Sequence, residues 1–435
     1  MSELFEIAYA AATNRLCLFT GTGFSKEVSN NKAPTWQGLL EELCNGLPNA
    51  EKLKVALFPQ DKSSPLSLEE TAQVISIKLA AHDKDIHEEV VKIISKIELG
   101  DDNKDIEQFF SNHSFRIITT NYDKLAEGLT VGNTCQSITP GLPIPRSSAN
   151  VKVYHVHGSI DSPKNMVITS EDYFKFINND SYFSRKLSTV LHENTVVILG
   201  YSLGDSNLKA IISDYKGFSK SHVVGSNIFL LSRASIEQNI KDYYFHCYGI
   251  RVLDSINIKD FFKNLNIEIP KAEKVSKVAL DSIRKVVYEN YSFSNAYLKL
   301  EDSFYQIISA IAAEGLSWDN PLVVKMIGDI IEKKTSLTHE RNAWEQYEHL
   351  ARWLIYLGTI LEVSQTSIEG KYLEAVLRSM TTMRKDYCIG FSWHAYRSWK
   401  NRWPSMIVSN RRLIKKHIEE RVIWPDALAI VNDLD

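Results

Sequence analysis

Cysteine is scarce in this sequence and never paired, charge of either sign is nearly balanced, and no apolar run reaches the length of a membrane span. The five cysteines among 435 residues, Cys17, Cys44, Cys135, Cys247 and Cys388, are odd in number, scattered, and form no CxxC pair. That pattern argues against a disulfide framework and against a zinc ribbon, and the thiols read as reduced and mostly buried. Lys and Arg total 50 against 53 Asp and Glu, and the formal net charge of −3 is too small for a general polyanion binder. No segment offers the ~18–20 unbroken apolar residues of a transmembrane helix. The opening residues, MSELFEIAYAAATNRLC, carry acids where a secretory leader would be basic. The expectation is a cytoplasmic protein with no membrane contact.

What is present is an ordinary globular composition, 44% hydrophobic and 24% charged, in a chain long enough for two domains. One stretch organises the rest. Leu16 to Ser25, LCLFTGTGFS, is an apolar run of buried-strand character ending in Gly21-Thr22-Gly23. Such a turn lets backbone N–H groups approach a pyrophosphate. It does not complete the dinucleotide fingerprint of a dehydrogenase, because the sixth position is Lys26. The acids at the required distance, Glu41 and Glu42, fall inside an expected helix.

Along the chain, a helix over 2–11 leads to a strand over 15–20, then helices over 35–47, 67–80 and 84–98. Strands follow at 115–120, 151–158, 196–200, 227–232 and 249–254, with helices expected between them at 183–193, 205–214 and 234–247. Strands alternating with helices predict an α/β fold, a doubly wound and largely parallel Rossmann-like sheet. After about residue 270 the spacing turns helical over 275–315, 320–334, 340–362, 370–383 and 408–421, and most tryptophans lie there. The chain therefore divides at 1–270 and 271–435, with an all-helical C-terminal domain.

Each strand meets polar residues at its C-terminal end, where ligands bind in such sheets. Asn121 and Asp123 follow one strand, His157-Gly158-Ser159 a second, and Gly200-Tyr201-Ser202-Leu203-Gly204-Asp205 a third. Asn121 offers one acceptor and two N–H donors for water or ribose hydroxyls, and His157 titrates in the range of a general base. Asp123 and Asp205 are equally able to cap helices. His155 and His157 on one strand face could form a metal pair, yet no third or fourth ligand is evident, so no metal is expected. Gly200 to Gly204 also fits the G-x-S-x-G elbow of an α/β-hydrolase with Ser202 as nucleophile. Its acid would be Asp214 or Asp254, and its histidine would have to come from beyond the apparent domain boundary.

The four motifs in this order, GTGFS, TTNYD, HGS and GYSLGD, resemble the sirtuin family over about residues 15–255. The resemblance is to its zinc-lacking branch, sirtuin-like NAD hydrolases of bacterial anti-phage defence, because the paired CxxC motifs of protein-deacylating sirtuins are missing. It implies NAD as substrate, no zinc, and cleavage of the nicotinamide–ribose bond with Asn121 and His157 as catalytic residues. Gly21, Thr22, Gly23 and Ser25 would surround the phosphates, with Asp123, Gly158, Gly200, Ser202 and Asp205 completing the nucleotide contacts. A protein deacylase and a non-catalytic NAD or ADP-ribose sensor remain alternatives. The resemblance further implies a homo-oligomer and a partner such as a HerA-type ATPase or a phage-derived activator. Between Arg378 and Arg421, eleven Lys and Arg stand against three acids, interleaved with aromatics. A nucleic-acid face fits that pattern, but a helix pair with core aromatics is favoured.

Overall fold

Strand β1, Leu16–Thr20, is buried along its whole length, which a run of apolar residues without polar alternation requires of a strand covered on both faces. The structure is a computed structural model. It describes all residues except 1, 60–65, 145, 147, 179–181, 202–227, 317–319, 387–389, 422–423 and 434–435. The expected helix at 205–214, together with Ser202 and Asp205, lies outside the described residues.

Six further strands, β2 (Phe115–Thr119), β3 (Cys135–Ile138), β4 (Val151–His155), β5 (Thr195–Leu199), β6 (Ile228–Leu231) and β7 (Ile250–Leu253), complete a seven-stranded sheet. Their order is β3-β4-β2-β1-β5-β6-β7, and each pairing is parallel. The chain leaves β1 toward β2, β3 and β4 on one side, then returns to β5 on the other. Beside β1 the direction of winding reverses, which opens a crevice at the carboxyl ends of the strands.

The period of two sorts side chains between two cores. Leu16 and Leu18 of β1, with Val197 and Leu199 of β5, join one buried cluster, while Cys17, Phe19, Val196 and Ile198 join another on the opposite face. Helices Ser2–Ala12, Lys104–Asn112 and Ile258–Tyr288 cover the first face, and Gln238–Tyr248 packs on the second. A third cluster belongs to the segment inserted between β1 and β2, built on Trp36–Cys44, Ala50–Leu57, Leu68–Ala80 and Ile86–Ile94. Capping fixes where these helices begin: Thr35 accepts the Gly38 N–H, Ser67 and Glu70 cap each other reciprocally, and Asp85 accepts from His87 and Glu88.

The expected α/β sheet followed by helices is what the chain forms. Three details differ. The strand expected over 151–158 stops at His155, because Gly158 turns the chain with φ +84 and bonds back to the His155 carbonyl. Strand β3 was not anticipated; three of its four residues are only half-buried, so its pattern is faint. The helical stretch expected over 275–315 is instead Ile258–Tyr288, Asn295–Lys299 and Ser303–Ala313. The first of these ends near Asn290, which holds a left-handed φ of +58.

The change of character near residue 270 thus falls inside one helix, and the cluster on that sheet face continues into the helical half through Trp353, Tyr372 and Trp399. Buried polar ties accompany it. Arg251 of β7 binds Glu6 of the first helix through Nη1 at 3.1 Å, and Tyr356 of Glu345–Ile360 donates to the same carboxylate at 2.6 Å. Arg411 of Val408–Arg421 reaches Asp242 at 3.1 Å. In the basic stretch, Trp399 and Trp403 are core residues whose indole N–H groups bind Ser379 Oγ and the Asp433 carbonyl, while Arg384 stacks over Trp424. Among the described residues no helix is long and apolar enough to cross a membrane.

Candidate active site

The carboxyl ends of β1, β2, β5 and β6, with the turn after β4, surround a cavity of about 660 Å³. Sequence-predicted residues Thr22, Gly23, Ser25, Asn121, Asp123, His157 and Gly200 all stand in its wall. Residues from chain positions 22 to 258 meet there, so only the parallel sheet brings them together. Gly21 and Gly158, also predicted to contact the nucleotide, do not line the cavity.

The glycines answer a packing requirement. A Cβ on Gly23 would sit 2.7 Å from Gly200 Cα, and one on Gly200, at φ +74, would sit 2.1 Å from the Phe24 nitrogen. The turns after β1 and β5 therefore touch backbone to backbone. Gly21 N–H donates to the Leu199 carbonyl and Gly23 N–H to the Gly200 carbonyl, both at 3.0 Å. Two of the donors expected to face a phosphate are thus engaged with the neighbouring turn. At Gly21 the crowding partner is the ring of Tyr201, whose hydroxyl lies 2.6 Å from Thr120 Oγ1.

Asn121 is the centre of the site. Its Nδ2 donates to the Gly21 carbonyl at 2.8 Å and to Ser25 Oγ at 2.7 Å. A carbonyl only accepts, so the amide must turn its NH₂ this way, and both of its donors are used. Asn121 Oδ1 is left buried with no hydrogen-bond partner among the described residues. An unfilled buried acceptor is costly unless a ligand or water fills it. Ser25 Oγ donates a hydrogen bond to Asp123 Oδ2 at 2.6 Å, and Asp123 Oδ1 accepts the Leu125 N–H at 3.1 Å. Burial nevertheless raises the Asp123 carboxyl above its ordinary value, against the lowering effect of those two bonds.

The two histidines of this rim diverge. His155, at the end of β4, is sealed inside: its ring nitrogens face the Asn121 carbonyl at 3.1 Å and Glu127 Oε1 at 2.8 Å. Burial pushes Glu127 up, but the bonds from His155 and Lys124 outweigh it and hold its value at about 2. His157 stands on the turn beyond, lines the cavity, and meets the ring edges of Tyr173 at 5.3 Å and Phe176 at 5.0 Å. Burial lowers its value to about 4, so the imidazole is neutral at pH 7. The His155–His157 metal pair does not form. Among the described residues no three His, Cys, Asp or Glu are grouped to hold a metal.

Sequence reasoning missed the aromatic side of the site. Trp36, whose buried Nε1 has no partner among the described residues, lies against Tyr122 with ring centroids 6.2 Å apart, and Trp36, Tyr173 and Tyr201 all line the cavity. Trp36 follows Pro34-Thr35 and reads as a helix start, while Tyr173 sits on a helix whose approach to His157 is set by the fold alone. For the hydrolase alternative, Ser202 is outside the described residues. Its candidate acid Asp254 is engaged by Lys241 at 2.8 Å and by the Ile236 N–H at 2.8 Å.

Residues 116–253 match the SIR2-like domain family. Over 260 residues, 59% of this chain and 24% of the other, the sequence is 21% identical to defense-associated sirtuin 2 of Bacillus subtilis. It is 28% identical to the NAD(+) hydrolase ThsA of Enterococcus faecium over 198 residues, 42% of this chain and 36% of that protein. Against ThsA of Bacillus cereus (strain MSX-D12) it is 33% identical over 100 residues, 22% of this chain and 21% of that protein. The chain spans between 21% and 36% of the length of these curated relatives. The sirtuin-like resemblance carried by the four strand-end motifs is borne out.

Proposed function

We propose that this chain, whose sheet carries a SIR2-like domain, is an NAD glycohydrolase that releases nicotinamide and ADP-ribose and acts in anti-phage defence by depleting NAD. The observation that carries the reading is the unfilled acceptor of Asn121 in the same cavity as a buried, neutral His157. The names of the similar proteins, an NAD(+) hydrolase and a defense-associated sirtuin, support it.

In this reading the bond between ribose C1′ and the nicotinamide nitrogen breaks, and its electron pair leaves with nicotinamide, discharging the pyridinium. Positive charge develops on the ribose, and Asn121 Oδ1 receives the O–H of a ribose hydroxyl or of the attacking water. His157 accepts the proton that water loses as its oxygen bonds to C1′. Ser25 and Asp123 hold the Asn121 amide in its orientation, and Thr22, Gly23 and Gly200 shape the floor under the phosphates. Residues 1–270 form the hydrolysing part and 271–435 an assembly or sensing part. Assembly as a homo-oligomer, or a HerA-type ATPase or phage-derived activator, would gate the activity, so that the enzyme stays silent until infection.

The test is nicotinamide release from NAD by the wild type, Asn121→Ala and His157→Ala, with activating partners supplied. Loss of release in both variants is expected. Undiminished release in both, where the wild type is active, would overturn the reading.

A further inference from the structure

The cavity wall carries a positive charge that this reaction does not use. Arg233 follows β6, is exposed, lines the cavity, and makes no ion pair among the described residues. Its neighbours Leu231, Ser232 and Ala234 line the same wall, so the whole turn after β6 faces the site.

Topology sets the distance between this turn and the reaction centre. His157 follows β4 and Arg233 follows β6, four inter-strand spacings apart in the order β4-β2-β1-β5-β6. At the usual spacing that is roughly 19 Å, with Asn121 between them after β2. A dinucleotide whose nicotinamide riboside lies at Asn121 and His157 and whose pyrophosphate crosses β1 therefore extends its adenosine toward β5 and β6.

Sites of this kind discriminate at the adenosine ribose. A carboxylate at a strand end takes a free 2′-hydroxyl, whereas an arginine there accommodates a 2′-phosphate. Here the strand end reads Ser232-Arg233, with no acid. The acid that ends β7, Asp254, is held by Lys241 and the Ile236 N–H and lines a different cavity. Among the described residues the carboxylates in the site wall are Asp123 and Glu27, which follow β2 and β1 rather than β6.

We propose that the site accepts dinucleotides phosphorylated on the adenosine 2′-oxygen, the NADP class, with Arg233 binding that phosphate. Arg233 presents a planar fork of donors to the phosphate oxygens, while the Ser232 hydroxyl donates to the Ala234 carbonyl at 3.0 Å and so holds the shape of the turn. This inference rests on the assignment of the cavity as an NAD-cleaving site.

Binding of two product-like ligands, ADP-ribose and its 2′-phosphate, is measured by titration calorimetry on the full chain, the Arg233→Ala chain and the Arg233→Glu chain. Because Arg233 is exposed, both variants are expected to fold, and circular dichroism checks that they do. The wild type should bind the 2′-phosphorylated ligand at least as tightly as ADP-ribose. Arg233→Ala should lower that preference about tenfold, and Arg233→Glu should lower it further. Added salt should weaken the phosphorylated ligand more than its partner. Tight binding of ADP-ribose with tenfold or greater rejection of its 2′-phosphate would overturn the inference and leave the NAD assignment standing. Equal losses for both ligands in Arg233→Ala would do the same. Binding of neither ligand would overturn both.

Discussion

Two buried asparagines set the rim of the sheet apart from the helical half. Asn410, in the helical half, is fully satisfied: Oδ1 accepts the Val363 N–H at 2.9 Å, and Nδ2 donates to the carbonyls of Gly358 at 2.9 Å and Leu361 at 2.7 Å. Asn121, at the rim of the sheet, has both donors engaged and its oxygen unfilled. Two buried bases repeat the contrast. Lys334 in the helical half gives its ammonium to the Leu298 carbonyl, Gln346 Oε1 and the face of Trp353, whereas His157 meets the rings of Tyr173 and Phe176 and lines the cavity. At these positions the helical half closes its polar groups on itself, while the rim of the sheet leaves Asn121 Oδ1 without a partner among the described residues.

The largest effect that tests this contrast is on catalysis. Asn121→Ala and His157→Ala should each lower nicotinamide release about a hundredfold or more, with modest change in melting temperature. Asn410→Ala should do the reverse, costing about 3 kcal/mol in denaturant unfolding because it takes their Asn410 partner from the buried Val363 N–H and the Leu361 carbonyl, while the Gly358 carbonyl keeps the Ile407 N–H and turnover per folded molecule is kept. If Asn410→Ala melts like the wild type, the scaffold side of the comparison fails.

A somewhat smaller cost, about 2 kcal/mol, is expected for Gly200→Ala, which combines a left-handed φ with a Cβ placed 2.1 Å from the Phe24 nitrogen. Because the turns after β1 and β5 would be forced apart, its loss of turnover should exceed what its loss of folded protein explains. Equal losses would make that contact structural only.

The sequence showed the rim but not its wiring. Strand ends followed by Gly21-Thr22-Gly23, Asn121, His157 and Gly200 are local patterns, and the parallel sheet unites them as expected. That Asn121 bonds to Gly21 and Ser25, positions 100 and 96 residues earlier, has no local signature. Nor does the closing of Tyr173 and Phe176 on His157, or the engagement of the Gly21 and Gly23 donors by the turn after β5. The glycine pattern was visible while its reason was not: the residues look like a phosphate cradle, and Gly23 and Gly200 are required by backbone contact between two turns. Strand β3 was missed because a half-buried edge strand has too little apolar alternation to stand out.

The smallest effects are pH slopes, at most about 1.4 kcal/mol per pH unit for each group. Burial lowers Lys334 from 10.5 to about 7, so between those values the unfolded chain holds a proton that the folded chain lacks, and stability rises with pH. Lys334→Met should flatten that rise. His157, lowered from 6.5 to about 4, gives the same sign in the lower window, with stability lost as the pH falls from 6.5 to 4. His157→Phe should remove this acid sensitivity, and a bound nucleotide should alter the His157 slope but not the Lys334 slope. Equal response of both slopes to nucleotide would erase the distinction between an open and a closed buried base.

The most direct measurement compares the two asparagines in one assay: nicotinamide release from NAD by the wild type, Asn121→Ala and Asn410→Ala, each normalised to folded protein and supplied with the same activating partners. The predicted result is release near the wild-type rate for Asn410→Ala and a loss of about a hundredfold or more for Asn121→Ala. Release by Asn121→Ala at the wild-type rate, or an equal loss in both variants, would contradict the assignment of the cavity as an NAD-cleaving site.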